Sequence, residues 1–173
     1  MDLETARVAA AAFVRAEAGF AQLTTIDDEG YPVTRTTTAF LEDDWSISLV
    51  QRAGHRRLGQ WRRDPRTLVT WVGASAPGAT NEHPAVFDVN LLPPRLVAVR
   101  GRAELMPPEW TVAVYRRRVS EQRARGFTKA PLRTDEQVVA ELAGVRIHPV
   151  RVRLEGFGEN AESHLWTVRR QQT

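Results

Sequence analysis

Four arginines and a histidine, Arg35, Arg52, His55, Arg56 and Arg57, fall in one short stretch of a 173-residue chain, among Thr36, Thr37 and Gln51. Guanidinium forks match phosphate oxygens two at a time, and hydroxyl and amide groups add neutral hydrogen bonds. Arg56 and Arg57 open the run HRRLGQWRR, which ends at Asp64-Pro65. A residue before proline is pushed out of the helical region, so this run reads as a short helix with its arginines in the first turn. There the free N–H groups and the helix dipole favour an anion. The chemistry on offer is therefore anion binding. The sequence carries no motif of a nucleophile. The chain has no cysteine, and no Gly-x-Ser-x-Gly, His-Glu-x-x-His or Walker pattern. His55, His83, His148 and His164 share no ligand spacing with another His, Asp or Glu, so no metal site is expected.

Two strand patterns must position these groups. Pro32 to Phe40 sets Thr34, Thr36 and Thr38 on one face and Val33, Arg35, Thr37 and Ala39 on the other. Trp45 to Val50 sets Trp45, Ile47 and Leu49 against Ser46, Ser48 and Val50. Before them, Phe20 to Ile26 is a strand joined to the next by the tight turn Asp27-Asp28-Glu29-Gly30. These three strands read as an antiparallel meander, and Thr67 to Val72 follows the basic helix as a fourth. Trp61 falls on the buried face of that helix, three residues after Leu58.

Outside this block, residues 1–19 read as an N-terminal helix capped by Asp2 and ended by Gly19. Gly73 to Pro84 is a loop, and Ala85 to Leu92 a short strand. Leu96 to Leu105 alternates cleanly. Pro107-Pro108 opens a helix that runs to Arg125. A second begins at Thr134, with Gln137 completing a capping box, and ends at Gly144. Val145 to Leu154 is the last long strand. Its apolar phase shifts at Pro149, which predicts a bulge. Residues 155–173 form a polar C-terminal tail holding His164 and Trp166. Six or seven mostly antiparallel strands with peripheral helices predict a mainly β, α+β domain closed into a small barrel.

A length of 173 residues suits one domain with one core. The net charge is +3, and only Lys129 among 24 basic residues is a lysine. Arginine richness admits a nucleic-acid reading through Trp110 to Arg125, but consecutive Arg116, Arg117 and Arg118 spread around the helix rather than forming a stripe. No run is long and apolar enough to cross a bilayer, and the acidic start is unlike a secretory leader. A cytoplasmic protein is expected.

The block from Phe20 to Gly158 resembles the split-barrel flavin-binding family related to pyridoxamine 5'-phosphate oxidase. The resemblance rests on the acidic-Gly turn, on Gly30-x-Pro32-x-x-Arg35, and on Arg57 three residues before Gln60. It rests further on Arg62-Arg63-Asp64-Pro65 and on Arg100-Gly-Arg-Ala-Glu104. It implies a split β-barrel homodimer with FMN, or the deazaflavin coenzyme F-420, at the subunit interface, acting as an oxidoreductase on a small conjugated molecule. By resemblance Arg57 takes the phosphate; His55, which opens the basic helix, is read from that position as a further phosphate contact. Arg35, Thr36, Thr37, Gln51 and Arg52 meet the ring and ribityl chain. Apart from the resemblance, Trp166 is read as stacking on a cofactor ring from the partner subunit or else as anchoring the tail. The tail lacks the Arg-x-x-Arg-Leu-His-like segment with which pyridoxamine-phosphate oxidases grip substrate, which argues against vitamin-B6 oxidation. A binding protein without turnover, a sensor or carrier, fits the same residues.

Overall fold

The computed structural model describes residues 1–73, 95–129, 132–157 and 162–168. The order is α1 (Leu3–Ala16), β1 (Ala21–Ile26), β2 (Pro32–Thr37), β3 (Phe40–Leu41), β4 (Ile47–Arg52), α2 (Arg56–Arg63), β5 (Arg66–Val72), β6 (Leu96–Leu105), α3 (Pro108–Ala124), α4 (Asp135–Glu141), β7 (Leu142–Phe157) and β8 (Glu162–Thr167). Local chemistry sets many of these bounds. Asp2 caps α1 by accepting from the Thr5 N–H at 2.8 Å. Thr134 and Gln137 form the expected capping box on α4. In the acidic turn, Asp27 Oδ1 accepts from the N–H groups of Glu29 and Tyr31, and Gly30 takes a φ of 89°. The proposed loop and strand at Gly73 to Leu92, and His83 with them, lie outside the described residues except for Gly73 itself.

The strand order is β2-β1-β5-β6-β7-β4-β3, all antiparallel, with β8 also on β7. This corrects the expected meander. β2 and β3 follow each other in the chain but stand at opposite ends of the sheet. Thr38 and Ala39 alone separate them, a reach of no more than about 11 Å. The sheet must therefore curl until its ends meet, which is the closed or split barrel that the strand count calls for. The reading of Pro32 to Phe40 as one strand fails at Thr38 for this reason: the chain bends there from one edge to the other.

The barrel interior takes alternate residues of the strands. Leu23, Ile47, Leu49, Val69, Trp71, Val97, Val99, Val145, Ile147, Val152 and Leu154 are all at most 1% exposed. Two helices pack on this core. α1 buries Ala6, Ala10 and Phe13, and Phe13 meets Phe157 edge-on at 5.4 Å between centroids. α2 buries Leu58 and Trp61, as its spacing predicts.

β7 is one long strand with two neighbours on one edge. Leu142 to Ile147 pair with β4, and Arg151 to Phe157 pair with β8. The register against β6 slips between Arg100 and Gly101, leaving Val150 without an opposite residue. This is the bulge that the phase shift at Pro149 announces, and it sits where the edge changes partners. The segment read as a polar tail is thus not one: its first residues end β7, and Glu162–Thr167 is β8. Its polarity reflects an edge strand with one face in water. Gly144 does not end α4, which stops at Glu141. It lies within β7, opposite Val50, where a Cβ would meet Thr111 Oγ1 at 2.5 Å and the Trp110 ring at 2.8 Å.

Gly101 faces the bulge with less room still. A Cβ would lie 2.5 Å from the His148 carbonyl oxygen and from Ile147 Cγ2. Gly101→Ala should therefore destabilise the fold by about 1–3 kcal/mol, the range for overpacking a close-packed site. A urea midpoint equal to that of the wild type would show that the bulge is not held closed by this contact.

Candidate functional site

The step from β2 to β3 that closes the barrel also brings β2 beside the end of β4 and the start of α2. Arg35 on β2 stands across from Leu23 on β1, so it lies on the core-facing side of the sheet. Gln51 is near the end of β4. Ala53 and Gly54 then turn the chain, and the Ala53 N–H donates to the Glu141 carbonyl at 2.8 Å. His55 caps α2: its Nδ1 accepts from the Arg57 N–H at 3.3 Å. That bond requires the neutral ring with its proton on Nε2.

Arg57 points inward and is 3% exposed. Its Nη1 donates to Gln51 Oε1 at 3.4 Å, and its guanidinium lies 5.9 Å from the centroid of the Trp61 ring. Among the described residues, no carboxylate pairs with it. Arg35 Nη1, Gln51 Nε2 and Arg57 Nε are all buried without an acceptor. Burial, then the neighbouring Arg35 charge, pulls the Arg57 pKa below its usual value. Burial, then Arg57 and Arg35, does the same to His55. Two guanidiniums that repel each other, with donors left over, leave this corner short of an anion.

A cleft of about 490 Å³ opens onto this corner, lined by Arg35, Arg52, Gly54, His55 and Arg56. A groove beside it shares Arg35 and Arg56 and runs along α2, past Gly59, Gln60 and Arg63, under the acidic turn of Asp27, Asp28 and Glu29. Asp28 there pairs with Arg63.

The expected site residues divide in three. Arg35, Gln51, His55 and Arg57 converge. Arg52 is exposed at the mouth of the cleft. Thr37 is half-buried on the face of Arg35, whereas Thr36 stands across from Gln22 on the outer face, so its side chain points away. Trp166 is on β8, opposite Val152 and stacked on His164 at 5.5 Å between centroids. Gln51 stands opposite Ala143 at the other end of β7. Nine residues of strand, about 30 Å, separate the two levels.

Two features were not foreseen. The Thr25 hydroxyl donates to Gln60 Oε1 at 2.7 Å inside the core and ties α2 to β1. Gln60 thus sets the angle of the helix that carries Arg57. The second is a charge cluster behind the barrel seam. Glu42 accepts from Arg117 at 2.8 Å and also from Arg118 and Ser48, while Arg118 lies 4.3 Å from the centroid of Phe40. Arg116 pairs with Asp135. Arg116, Arg117 and Arg118 of α3 are therefore engaged in ion pairs, while Arg123 donates to the Thr128 carbonyl. Sequence spacing gives no sign of this, because the partners are far apart in the chain.

No family model matches the chain, and no curated protein matches it. Solved structures do. General Stress Protein 26 from Bacillus anthracis aligns with a TM-score of 0.62 at 11% identity, covering 97% of this chain and 100% of the other. A pyridoxamine 5'-phosphate oxidase-related, FMN binding protein from Nostoc punctiforme aligns at 0.59 and 15% identity, covering 98% of each. The chain has the fold of the pyridoxamine 5'-phosphate oxidase-like split barrels. A heme binding protein from Mycobacterium smegmatis shares the fold too, at 0.61 and 17% identity, with 96% of this chain matched to 59% of that one. At these identities the likeness speaks for the split barrel alone.

The cap at His55 gives a pH test. Its folded pKa lies below the ordinary 6.5. The unfolded chain then binds the proton more tightly, so stability is full above about 6.5 and falls as pH drops through that value. Asn caps as well as any residue and does not titrate. Melting curves between pH 5 and 8 should therefore show His55→Asn losing less stability on acidification than the wild type. Parallel pH profiles would refute the neutral cap.

Proposed function

We propose that the protein binds a phosphate-bearing flavin, FMN or the deazaflavin coenzyme F-420, and uses it as an oxidoreductase on a small conjugated molecule. One observation carries the reading: three buried donors, on Arg35, Gln51 and Arg57, lack an acceptor among the described residues, and they lie next to an open cleft lined by Arg35 and by His55, whose ring accepts from the Arg57 N–H. A phosphate supplies several acceptor oxygens and the missing negative charge together. The residues present thus fit the group. Arg57 and Arg35 hold the phosphate, and the free Nε2–H of His55 donates to it. Gln51 Nε2 and the β2 backbone beside Thr37 orient the ring, and Arg52 guards the mouth. The cofactor, when bound, supplies the hydride or electron-pair transfer, and the chain supplies position and field.

Trp166 is too far along β7 to serve the cleft of its own chain. Its stacking role therefore belongs to a homodimer, in which the β8 of one copy reaches the site of the other. The second reading is a carrier or sensor that binds the same cofactor without turnover. The cleft favours it in one respect: among the described residues lining it, His55 is the one histidine, a side chain whose ordinary pKa of 6.5 lies near neutrality. Steady-state oxidation of reduced cofactor by conjugated acceptors separates the two.

The direct test uses Arg57. Arg57→Ala should weaken FMN or F-420 binding at least tenfold, in line with loss of a charge-assisted bond of about 1.5–3 kcal/mol. Unchanged affinity in a fluorescence titration would sink the phosphate assignment. Arg57→Met sharpens it. A buried cation without a partner costs stability, so the cofactor-free Met variant should unfold at an equal or higher temperature than the wild type while losing affinity. Loss of both would mean that Arg57 is a structural residue.

A further inference from the structure

The C-terminal end of α3 presents apolar side chains to water and sets cations around them. The helix ends in a Schellman motif. The Gly126 N–H donates to the Arg123 carbonyl at 2.9 Å, the Phe127 N–H donates to the Gln122 carbonyl at 3.0 Å, and Gly126 takes a φ of 87°. In this motif the residue after the glycine often packs on an apolar side chain one turn back. Here the residues one turn back are Glu121 and Gln122. Phe127 gains no such contact and is 67% exposed, on a backbone that the two bonds hold in place. Leu132 is 70% exposed. It borders a groove of about 540 Å³ along α3, lined by Tyr115, Val119 and Leu132 together with Arg116, Arg123 and Arg133. Among the described residues, no carboxylate lines this groove.

The charge here is of one sign. From Gln122 to Thr134 the chain carries Arg123, Arg125, Lys129 and Arg133 and no acidic residue. Arg116 pairs with Asp135 and Arg133 with Glu141, while Arg123 donates to the Thr128 carbonyl at 3.3 Å. Among the described residues Arg125 and Lys129 form no ion pair, and both are exposed. A nucleic-acid backbone would take the cations and leave Phe127 and Leu132 in water. A folded protein partner would need a pocket for each apolar tip and carboxylates around both. An anionic bilayer meets both demands without any matching shape. Its headgroups take the guanidinium and ammonium groups, and the acyl boundary beneath them takes the apolar tips. Either signal alone binds weakly and reversibly, and the two together give stable attachment.

We infer that the C-terminal end of α3 and the residues after it dock on an anionic lipid surface, with Phe127 and Leu132 entering the boundary between headgroups and acyl chains and Arg123, Arg125, Lys129 and Arg133 level with the lipid phosphates. None of these residues lines the cleft of Arg35 and His55 or the groove beside it. The docking therefore stands apart from the cofactor reading above and survives its failure.

The test sediments the full-length chain with vesicles of phosphatidylcholine alone and with vesicles of equimolar phosphatidylcholine and phosphatidylglycerol. The wild type should bind the mixed vesicles, ignore the neutral ones, and leave the mixed ones as salt is raised, because salt screens exposed charges. Phe127→Ala with Leu132→Ala should weaken binding at least tenfold, since two apolar side chains no longer leave water. Arg125→Glu with Lys129→Glu should weaken it on the order of a hundredfold, since each basic group near an anionic surface contributes and each new carboxylate is repelled. All four positions are exposed, so both variants should melt with the wild type. Should either melt early, Phe127→Trp decides: the emission it adds should shift to the blue with mixed vesicles and stay unshifted with neutral ones. A wild type that binds neither kind of vesicle, or both equally, would overturn the docking. So would variants that bind as tightly as the wild type, or a Phe127→Trp emission that the mixed vesicles leave unmoved. Binding to random-sequence DNA with steep salt dependence, lost in the charge variant and kept in the alanine variant, would overturn it too, since the occupant would then be a nucleic-acid backbone.

Discussion

Two residues, Thr38 and Ala39, hold the two ends of the sheet together, because β2 and β3 are consecutive in the chain and last in the strand order at opposite edges. Everything else follows from that constraint. An open sheet of this order would leave two long edges and one face of Val, Ile, Leu and Trp side chains in water. Curling brings the two edges together and turns that face inward, where it is at most 1% exposed along the central strands. The same step lays Arg35 next to Gln51 and α2, although β2 and β4 exchange no ladder bonds. The barrel and the cleft are two results of one bend.

Close packing then fixes where the other elements dock. Gly101 and Gly144 stand where any side chain would strike backbone, a β-branched side chain or an aromatic ring. The first lets β6 follow the bulge in β7. The second lets α3 lie on β7, where the Gly144 N–H donates to Thr111 Oγ1 at 3.0 Å. The bulge in turn frees the far end of β7 to take β8 as a partner. The Trp45 φ of 64° is another cost accepted in the same region. It lets a tight turn deliver a large aromatic side chain, 4% exposed, into the core.

Several buried polar groups are paired: Thr25 with Gln60, Ser48 with Glu42, Thr111 with Gly144. Six buried side-chain atoms among the described residues have no partner; three, on Arg35, Gln51 and Arg57, gather at one corner, and the others are on Trp61, Trp71 and Arg118. Arg35 and Arg57 approach each other without a carboxylate, and the burial of Arg57 makes its charge more expensive. Fold stability gains nothing from this arrangement. It is the kind of local conflict found where a site is built for something outside the chain.

The sequence by itself determined the local elements and the residue types of the cleft. Period-two alternation marked β6, capping chemistry marked α1 and α4, and the Asp64-Pro65 stop ended α2. The phase shift at Pro149 marked the bulge, because side-chain alternation records register directly. The basic helix start marked Arg57 and His55 as candidates for anion binding, since a helix N-terminus offers the same N–H groups in any fold. What tertiary structure decided were the matters set by residues distant in the chain. It broke Pro32 to Phe40 into two strands at opposite edges, because barrel closure outweighs the continuity of a strand pattern. It turned the polar tail into β8, because an edge strand needs only one apolar face. It sent Thr36 outward and set Trp166 at the other end of β7. It also left Arg35 and Arg57 without a counter-ion while giving Arg117 and Arg118 to Glu42. Which arginines stay free depends on what the fold brings near them, and composition alone holds no record of that.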